Sequence, residues 1–241
     1  MGSIYIKDVT MKYANASVID NLTERISDGE FYAILGISGS GKTTLLKIAA
    51  GLSLITSGVV EVDGKNIFKY SQKQMLDYHR CCGFVFQNSA LISNMSIYEN
   101  LSLYYNYHTD LSEKDIYQKI KKYLDYVGFD NDISQRPNIL STGEKMLINI
   151  IRAVSHEPDF IFWDSPLSNL DTHYQNRIRK IIMDFKNQKK TMIMATGDTD
   201  FAFSIADRIG ILKKGKIIES GTTEEIKNSK YSMTREFIEN N

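Results

Sequence analysis

The chain has 241 residues, 42% of them hydrophobic and 24% charged, with 29 basic residues balancing 29 acidic ones. This composition is typical of a globular protein with a large core, and the zero net charge disfavours a protein that binds nucleic acid through its overall electrostatic field. Because no apolar run reaches the roughly 18 residues that a spanning helix needs, we expect a soluble chain that relies on another chain to span any membrane.

The first third of the chain predicts strands on either side of a glycine-rich turn. Residues 4–13 are rich in β-forming side chains and partly alternate, which predicts an edge or antiparallel strand with residues 22–26 as its hairpin partner. The apolar run 30–35 predicts a buried strand, and residues 45–50, after the glycines, must be helical. Further β segments are expected at 58–62, 65–67 and 83–86.

The remaining elements predict the fold class. From about residue 88 to residue 154 the chain is more polar and helical, with Ser112 opening a clear helix. Short buried strands return at 160–163 and 191–195, and a capping box at Thr222 precedes the last helices. This order predicts an α/β fold, a mostly parallel sheet flanked by helices, with an N-terminal antiparallel β subdomain and an inserted helical subdomain.

The glycine-rich turn matches the motif G-x-x-x-x-G-K-[ST] at every position from Gly36 to Thr43. Its glycines let the backbone wrap around a triphosphate with N–H groups pointing inward, and the following helix adds its positive dipole end. Lys42 would contact the β- and γ-phosphates, and the Thr43 hydroxyl would ligate Mg²⁺. The motif predicts a P-loop NTPase core that binds ATP and Mg²⁺ through Gly36, Ser38, Gly39, Ser40, Gly41, Lys42, Thr43 and Thr44.

Landmarks on both sides of this loop follow the order found in one group of P-loop proteins. Tyr13 precedes the loop, Gln87 ends a predicted strand, and residues 140–144 read Leu-Ser-Thr-Gly-Glu. Residues 160–164 end a buried strand in an aspartate, and residues 168–171 read Ser-Asn-Leu-Asp. Over essentially the whole chain these segments resemble the ATP-binding-cassette (ABC) ATPases, whose adenine-stacking ring, Q-loop, signature, Walker B and D-loop occupy these places.

The resemblance implies roles for residues outside the loop. Tyr13 would stack on adenine, Gln87 would join the nucleotide site, and Thr43, Gln87 and Asp164 would hold the metal, since a hard cation prefers oxygen ligands. The signature and D-loop would face ATP held by a second cassette, so that two cassettes sandwich two nucleotides. The residues expected at that interface are Ser141, Thr142, Gly143, Glu144 and Asp171.

The resemblance also implies a single ABC ATPase domain over residues 1–241. Its nucleotide-binding core would comprise residues 1–87 and 155–221, and the helical subdomain that carries the signature would be residues 88–154. The C-terminal helices would occupy residues 222–241.

Two departures from the family pattern affect the side chains tied to hydrolysis. Walker B normally ends in Asp-Glu, whose glutamate polarises the attacking water, but Asp164 is followed by Ser165. The family's switch histidine is replaced by Gly197, so no catalytic side chain of the pattern is intact. General-base catalysis contributes typically 10²–10⁴-fold, and we therefore expect tight ATP binding with poor hydrolysis, unless a group such as a partner-chain residue rescues slow turnover.

Two interpretations of the whole protein remain open. One is the ATP-binding subunit of an ABC transporter, peripheral on the cytoplasmic face of the membrane, with a membrane permease and a second cassette as partners. The other is a nucleotide-gated regulatory or binding module without significant ATPase activity.

Residues 90–101 lie where transporter cassettes dock the membrane subunit, and they resemble the version in Mce-type lipid-trafficking systems. Four tyrosines would extend that surface or pack within the helices, namely Tyr104, Tyr105, Tyr107 and Tyr126.

Overall fold

The computed structural model describes residues 2–14 and 16–239. In chain order its strands are β1 (Ile4–Tyr13), β2 (Ala16–Ile26), β3 (Phe31–Leu35), β4 (Ser57–Val62), β5 (Lys65–Asn66), β6 (Cys82–Val85), β7 (Phe160–Asp164), β8 (Thr191–Thr196), β9 (Arg208–Lys213) and β10 (Lys216–Thr222). Its α-helices are α1 (Lys42–Ala49), α2 (Gln72–Arg80), α3 (Ile97–His108), α4 (Glu113–Val127), α5 (Thr142–Val154), α6 (Thr172–Asn187), α7 (Thr199–Ile205), α8 (Thr223–Lys227) and α9 (Ser232–Glu239).

The N-terminal strands form an antiparallel sheet in the order β2-β1-β4-β5. The predicted hairpin is confirmed, since Ile4 pairs with Ile26 and Tyr13 with Ala16. Strand β1 is antiparallel as expected but lies inside the sheet rather than at its edge, because β4 pairs along its other side.

The second sheet has six strands in the order β10-β9-β3-β8-β7-β6. Strands β6, β7, β8, β3 and β9 are mutually parallel, and only β10 runs antiparallel to its neighbour β9. The hairpin of β9 and β10 was not predicted from the sequence. The parallel arrangement brings the carboxyl ends of β3, β7 and β8 together at one edge of the sheet, which is where ligands bind in open α/β folds.

The apolar strand sequences are explained by burial on both faces of this sheet. In β3, Phe31, Ala33 and Leu35 pack into one core cluster with the inserted helices, whereas Tyr32 and Ile34 pack into a second cluster. That second cluster contains the antiparallel sheet and α1. A parallel strand covered on both sides reads as a continuous apolar run, which is the pattern the sequence displays.

Three helices, α3, α4 and α5, lie between β6 and β7 in the chain. They explain why the sequence of this stretch is polar and helical. The domain boundaries that we predict at residues 88 and 154 stay a prediction. None of the helices within the described ranges is long and apolar enough to cross a membrane. The four tyrosines of this region differ in burial. Tyr105 is buried and Tyr104 is half-buried, whereas Tyr107 and Tyr126 are exposed.

Candidate functional site

The glycine-rich loop connects the end of β3 to the start of α1, as the motif predicts. Gly41 begins the helix with φ at 107°, and Gly39 has φ at 77°. A Cβ atom on Gly36 would lie 2.5 Å from the carbonyl oxygen of Leu212, so this position has room for no side chain. The glycines therefore serve both the turn and the close packing beneath it.

Lys42 and Thr43 project from the first turn of α1 toward the loop and the adjacent strand. The Lys42 Nζ atom donates to the carbonyl oxygens of Gly36 at 2.6 Å and Ile37 at 3.0 Å. The Thr43 hydroxyl donates to Asp164 Oδ1 at 2.8 Å. Asp164 ends β7 and is 4% exposed. The Thr43 hydroxyl of α1 and the Asp164 carboxylate of β7 thus lie together, next to the glycine-rich loop that the Lys42 ammonium group contacts.

The pKa values of Lys42 and Asp164 are shifted mainly by burial. Burial lowers the pKa of Lys42, and the nearby Asp164 carboxylate opposes that change. Burial raises the pKa of Asp164, against the hydrogen bond from Thr43 and the charges of Lys47 and Lys42. A polyanion would favour the charged ammonium, and a divalent cation would favour the charged carboxylate. The two groups therefore suit a magnesium–triphosphate ligand.

A cavity of about 510 Å³ opens above the loop at the carboxyl edge of the parallel sheet. Its wall brings together most of the predicted nucleotide-binding residues with Gln87, Ser165 and Gly197. Sequence reasoning missed three further wall residues, Val18, Ile37 and Ser168. The described residues of the wall are Val18, Gly36, Ile37, Ser38, Gly39, Gly41, Lys42, Thr43, Thr44, Gln87, Ser165, Ser168 and Gly197.

Two predicted nucleotide-binding residues are absent from this wall. Ser40 is 3% exposed, and its hydroxyl lies beneath Gly36, where a Cβ atom would approach it to 2.6 Å. Tyr13 is 65% exposed at the end of β1, on the hairpin whose Val18 does line the cavity. Ser40 therefore contributes to the packing of the loop, and the stacking role of Tyr13 stays a prediction.

The two positions that depart from the family pattern both face the cavity. Ser165 has φ at 48°, and its N–H donates to the Ala195 carbonyl at 2.8 Å. A Cβ atom on Gly197 would meet nothing within 4 Å among the described residues. Among the described residues, the cavity wall has no carboxylate and no imidazole, and the Asp164 carboxylate lies behind it on Thr43. The groups that line it can bind a nucleotide, but none of their side chains is a base at neutral pH.

The signature residues lie at the start of α5, away from this cavity wall. Ser141 caps the helix, accepting from the Glu144 N–H at 3.2 Å, and Glu144 accepts from the Ser141 N–H at 2.8 Å. Asn131 donates to the other Glu144 oxygen at 2.5 Å. Glu144 thus completes a capping box, for which glutamate and glutamine are both suitable. Ser141 and Thr142 are exposed, so this helix start is open to a second molecule.

The D-loop aspartate and the signature are linked through one tyrosine. Asp171 caps α6, accepting from the Tyr174 N–H at 3.0 Å. The Tyr174 ring packs against Gly143, whose missing Cβ would lie 2.2 Å from two ring carbons. The structure therefore brings Asp171 and Gly143 to neighbouring helix starts, but it does not bring either to the cavity wall of the same chain.

The sequence is similar to known transporter subunits. The ABC transporter family matches residues 19–168. The sulfate/thiosulfate import ATP-binding protein CysA of Mesostigma viride is 35% identical over 93% of this chain and 63% of its own length. The spermidine/putrescine import ATP-binding protein PotA of Thermotoga maritima is 32% identical over 93% of this chain and 60% of its own length. The chain thus spans about three fifths of the length of these curated relatives.

Solved structures have the same fold. The chain is similar to the ATP-binding cassette MJ0796 in a dimeric, post-hydrolysis state bound to ADP and Pi, with a TM-score of 0.83 and 28% identity, covering 91% of this chain and 98% of that one. It is also similar to cbiO1 from Clostridium perfringens, part of the ABC transporter complex cbiONQ, with a TM-score of 0.80 and 27% identity, covering 94% of this chain and 91% of that one. The predicted fold class is confirmed, whereas the Mce-type resemblance stays a prediction.

Proposed function

The chain belongs to the ABC transporter family, and on that basis we propose that it is the ATP-binding subunit of a transport complex whose spanning part is a separate permease chain. It binds MgATP in the cavity above the glycine-rich loop, and this binding drives the association of cassettes. The observation that carries the proposal is the convergence of Lys42, Thr43 and Gln87 on one cavity, with Asp164 hydrogen-bonded to Thr43.

The residues of the cavity have distinct parts in binding. The loop N–H groups and the α1 dipole receive the phosphates, and Lys42 turns from its two carbonyl acceptors toward them. Thr43, Asp164 and Gln87 supply oxygen atoms for the metal. When bound, Mg²⁺ neutralises charge on the terminal phosphates. Tyr13 stacks on the adenine from the β1–β2 hairpin.

Hydrolysis is weak in this proposal, because Ser165 and Gly197 stand where the family has a base and a histidine. The wall of the cavity supports this, since Lys42 is the one ionisable side chain among the described residues that line it. The same observation favours the alternative of a nucleotide-gated module that binds ATP and associates without significant turnover. Turnover of the purified chain, with and without its permease, separates the two.

The proposed partners are a second cassette, which the exposed signature supports, and a membrane permease. Ser141, Thr142 and Gly143, with Glu144 and Asp171, close over ATP held by a second cassette, and residues 90–101 dock the permease. The chain accordingly works on the cytoplasmic face of a membrane without entering it.

Calorimetric titration with MgATP tests the binding site. Lys42→Ala removes the cationic contact to the phosphates, and a hydrogen bond to a charged group contributes about 1.5–3 kcal/mol, so affinity should fall at least tenfold. Lys73→Ala, which removes an exposed lysine of α2 outside the cavity wall, is the matched control. Equal ATP affinity of the wild type and Lys42→Ala would rule out this site.

A further inference from the structure

The turn that follows β6 holds an unfavourable backbone conformation. Ser89 has φ at 59° and Ala90 has φ at 46°, and neither residue is a glycine. Consecutive left-handed residues with side chains persist only when the surroundings hold them. Local hydrogen bonds are few, from Ser89 N–H to the Phe86 carbonyl at 3.1 Å and from Ala90 N–H to the Asn88 carbonyl at 2.6 Å. Other groups must therefore stabilise this turn.

Two side chains of α5 supply that stabilisation. Asn149 donates through Nδ2 to the Phe86 carbonyl at 2.8 Å. Arg152 donates through its two terminal nitrogens to the carbonyls of Ala90 at 2.8 Å and Ser89 at 3.0 Å. Arg152 also donates to Asn149 Oδ1 at 3.4 Å, which joins the two side chains. The carbonyls on both sides of Gln87 and Asn88 are thus held by one helix.

The burial of these side chains makes their bonds hard to replace by water. Asn149 is completely buried, at 0% exposure, and Arg152 is half-buried. Burial lowers the pKa of Arg152. Within residues 2–14 and 16–239 no ion pair joins Arg152 to a carboxylate, so its charge is directed to the carbonyls of the turn. Buried polar groups without partners are unfavourable, and removing either side chain should release the turn.

The next part of the same loop is held by the other neighbouring helix. Asn100 of α3, also 0% exposed, accepts from the Ile92 N–H at 2.8 Å and donates to the carbonyls of Ile92 and Ser96 at 3.0 and 2.9 Å. Helices α3 and α5 therefore hold the loop on both sides. Gln87, exposed on the cavity wall, lies between β6 and this fixed loop.

We propose that Asn149 and Arg152 are positioning residues that hold the strained turn and thereby keep the Gln87 amide at the metal side of the nucleotide cavity. The inference rests on the proposed function, because it assigns Gln87 to bound Mg²⁺. Among the described residues, the hydrogen bonds of the two side chains join them to this turn, to Met146 and to each other, and none goes to a residue of the cavity wall. Helix α5 begins at the signature, so the same helix connects the partner-facing surface to Gln87.

Hydrogen exchange without nucleotide tests the clamp. Asn149→Leu keeps the approximate shape and removes the amide, and Arg152→Lys keeps the charge but cannot span two carbonyls. The Ser89 and Ala90 amides should exchange at least tenfold faster in Asn149→Leu, with a smaller increase in Arg152→Lys. Asn106→Leu is the matched control, since Asn106 lies on α3 and its amide donates to Ser102 Oγ rather than to the turn. Unchanged exchange in both variants would overturn the clamp.

The second arm measures ATP affinity with and without Mg²⁺. Asn149→Leu should reduce the Mg²⁺-dependent gain in affinity at least threefold, while affinity for metal-free ATP stays within twofold because the loop from Gly36 to Thr43 is intact. A general loss of structure would lower both affinities. An unchanged Mg²⁺-dependent gain despite faster exchange would overturn the positioning role. If the wild type binds no MgATP, the proposed function fails instead, and the exchange arm still decides whether the turn is held.

Discussion

Ser165 and Gly197 follow the carboxyl ends of two neighbouring strands, β7 and β8, and both line the nucleotide cavity. The backbone at each position accommodates a Cβ atom. Ser165 already has φ at 48° with a Cβ atom present, and a Cβ atom on Gly197 would meet no described atom within 4 Å. The effect on turnover of placing glutamate at position 165 and histidine at position 197 can therefore be measured.

The double variant Ser165→Glu and Gly197→His should raise ATP turnover of the chain by about 10²–10⁴-fold, the usual contribution of a positioned general base. Phosphate release at saturating ATP measures it, with Lys42→Ala added to the double variant as the inactive control. The two side chains would act as one catalytic unit, so the effects of the single variants need not add up to that of the double variant. Turnover on the order of 1 s⁻¹ in the unmodified chain, which is within the usual range of enzymes, would contradict the assignment.

At the scale of elements, four helices in the described part of the chain begin with the same reciprocal cap, and in three of them the residue that bonds back is a glutamate. Ser96, Ser141 and Thr222 each cap a helix whose third residue is a glutamate that bonds back to the cap. The backbone N–H of the capping residue lowers the pKa of Glu99, Glu144 and Glu225 below the ordinary value of 4.5. Because these glutamates have a lower pKa in the folded state, they stabilise it above their unfolded pKa and lose that contribution as pH falls through the folded value.

The triple variant Glu99→Gln, Glu144→Gln and Glu225→Gln should therefore lose less stability between about pH 5 and pH 3 than the wild type. Glutamine maintains the cap, so both proteins should be folded at neutral pH. Asp164, whose pKa burial raises, is present in both and cancels in the comparison. Thermal unfolding across this range measures the difference, and parallel pH profiles of the two proteins would refute the role of the caps.

The contact between α5 and α6 leads to a packing prediction. In Gly143→Ala the new methyl group would lie 2.2 Å from the Tyr174 ring, so the ring or the helix must move. Overpacking costs about 1–3 kcal/mol, which exceeds the gain of up to about 1 kcal/mol from replacing glycine in a helix. Chemical denaturation should show a net loss of stability. Thr142→Ala, at the exposed neighbouring position, should stay within about 0.5 kcal/mol.

Tyr174→Ala tests whether the Tyr174 ring causes the loss of stability in Gly143→Ala. If the ring is the obstacle, adding Gly143→Ala to Tyr174→Ala should cost much less than adding it to the wild type, as a double-mutant cycle would show. Equal costs in the two backgrounds would mean that the destabilisation arises elsewhere.

Local features of the fold and the site could be predicted from the sequence, whereas contacts between separate elements could not. The loop from Gly36 to Thr43 was predictable because its chemistry is local, and the buried strands because apolar runs of that length have few alternatives. The contact of Tyr174 with Gly143 was not, since residues on separate helices meet through tertiary packing alone. Asn149 likewise looks like a polar residue within an apolar helix, and only the fold reveals the Phe86 carbonyl as its partner.

At the scale of the whole molecule, the nucleotide cavity and the signature are separate surfaces of one chain. None of Ser141, Thr142, Gly143 or Glu144 belongs to the cavity wall. Ser141 is exposed at the positive end of α5, where an anion on another molecule is favoured. Under the proposed function, ATP bound to a second cassette, identical or related, would supply that anion.

ATP should therefore raise the molar mass measured by light scattering, for this chain alone or mixed with a partner cassette. Ser141→Arg should abolish that rise, since it puts bulk at the surface that meets the γ-phosphate and removes the cap of α5. Ser141→Asp, which retains a capping oxygen but adds a negative charge, separates loss of the cap from loss of the anion site. Association that is equal without ATP and in both variants would exclude a nucleotide sandwich.

The attachment of residues 86–96 to α3 and α5 has a thermodynamic consequence for the assembled transporter. In the proposed complex, a permease docked on residues 90–101 would contact the same loop whose first residues we propose to position Gln87. If that docking changes the affinity for MgATP by some factor, MgATP must change the affinity for the permease by the same factor, because the two binding equilibria form a closed cycle. The subunit would then respond to its permease and its nucleotide with one coupling free energy, independent of whether any phosphate bond is broken.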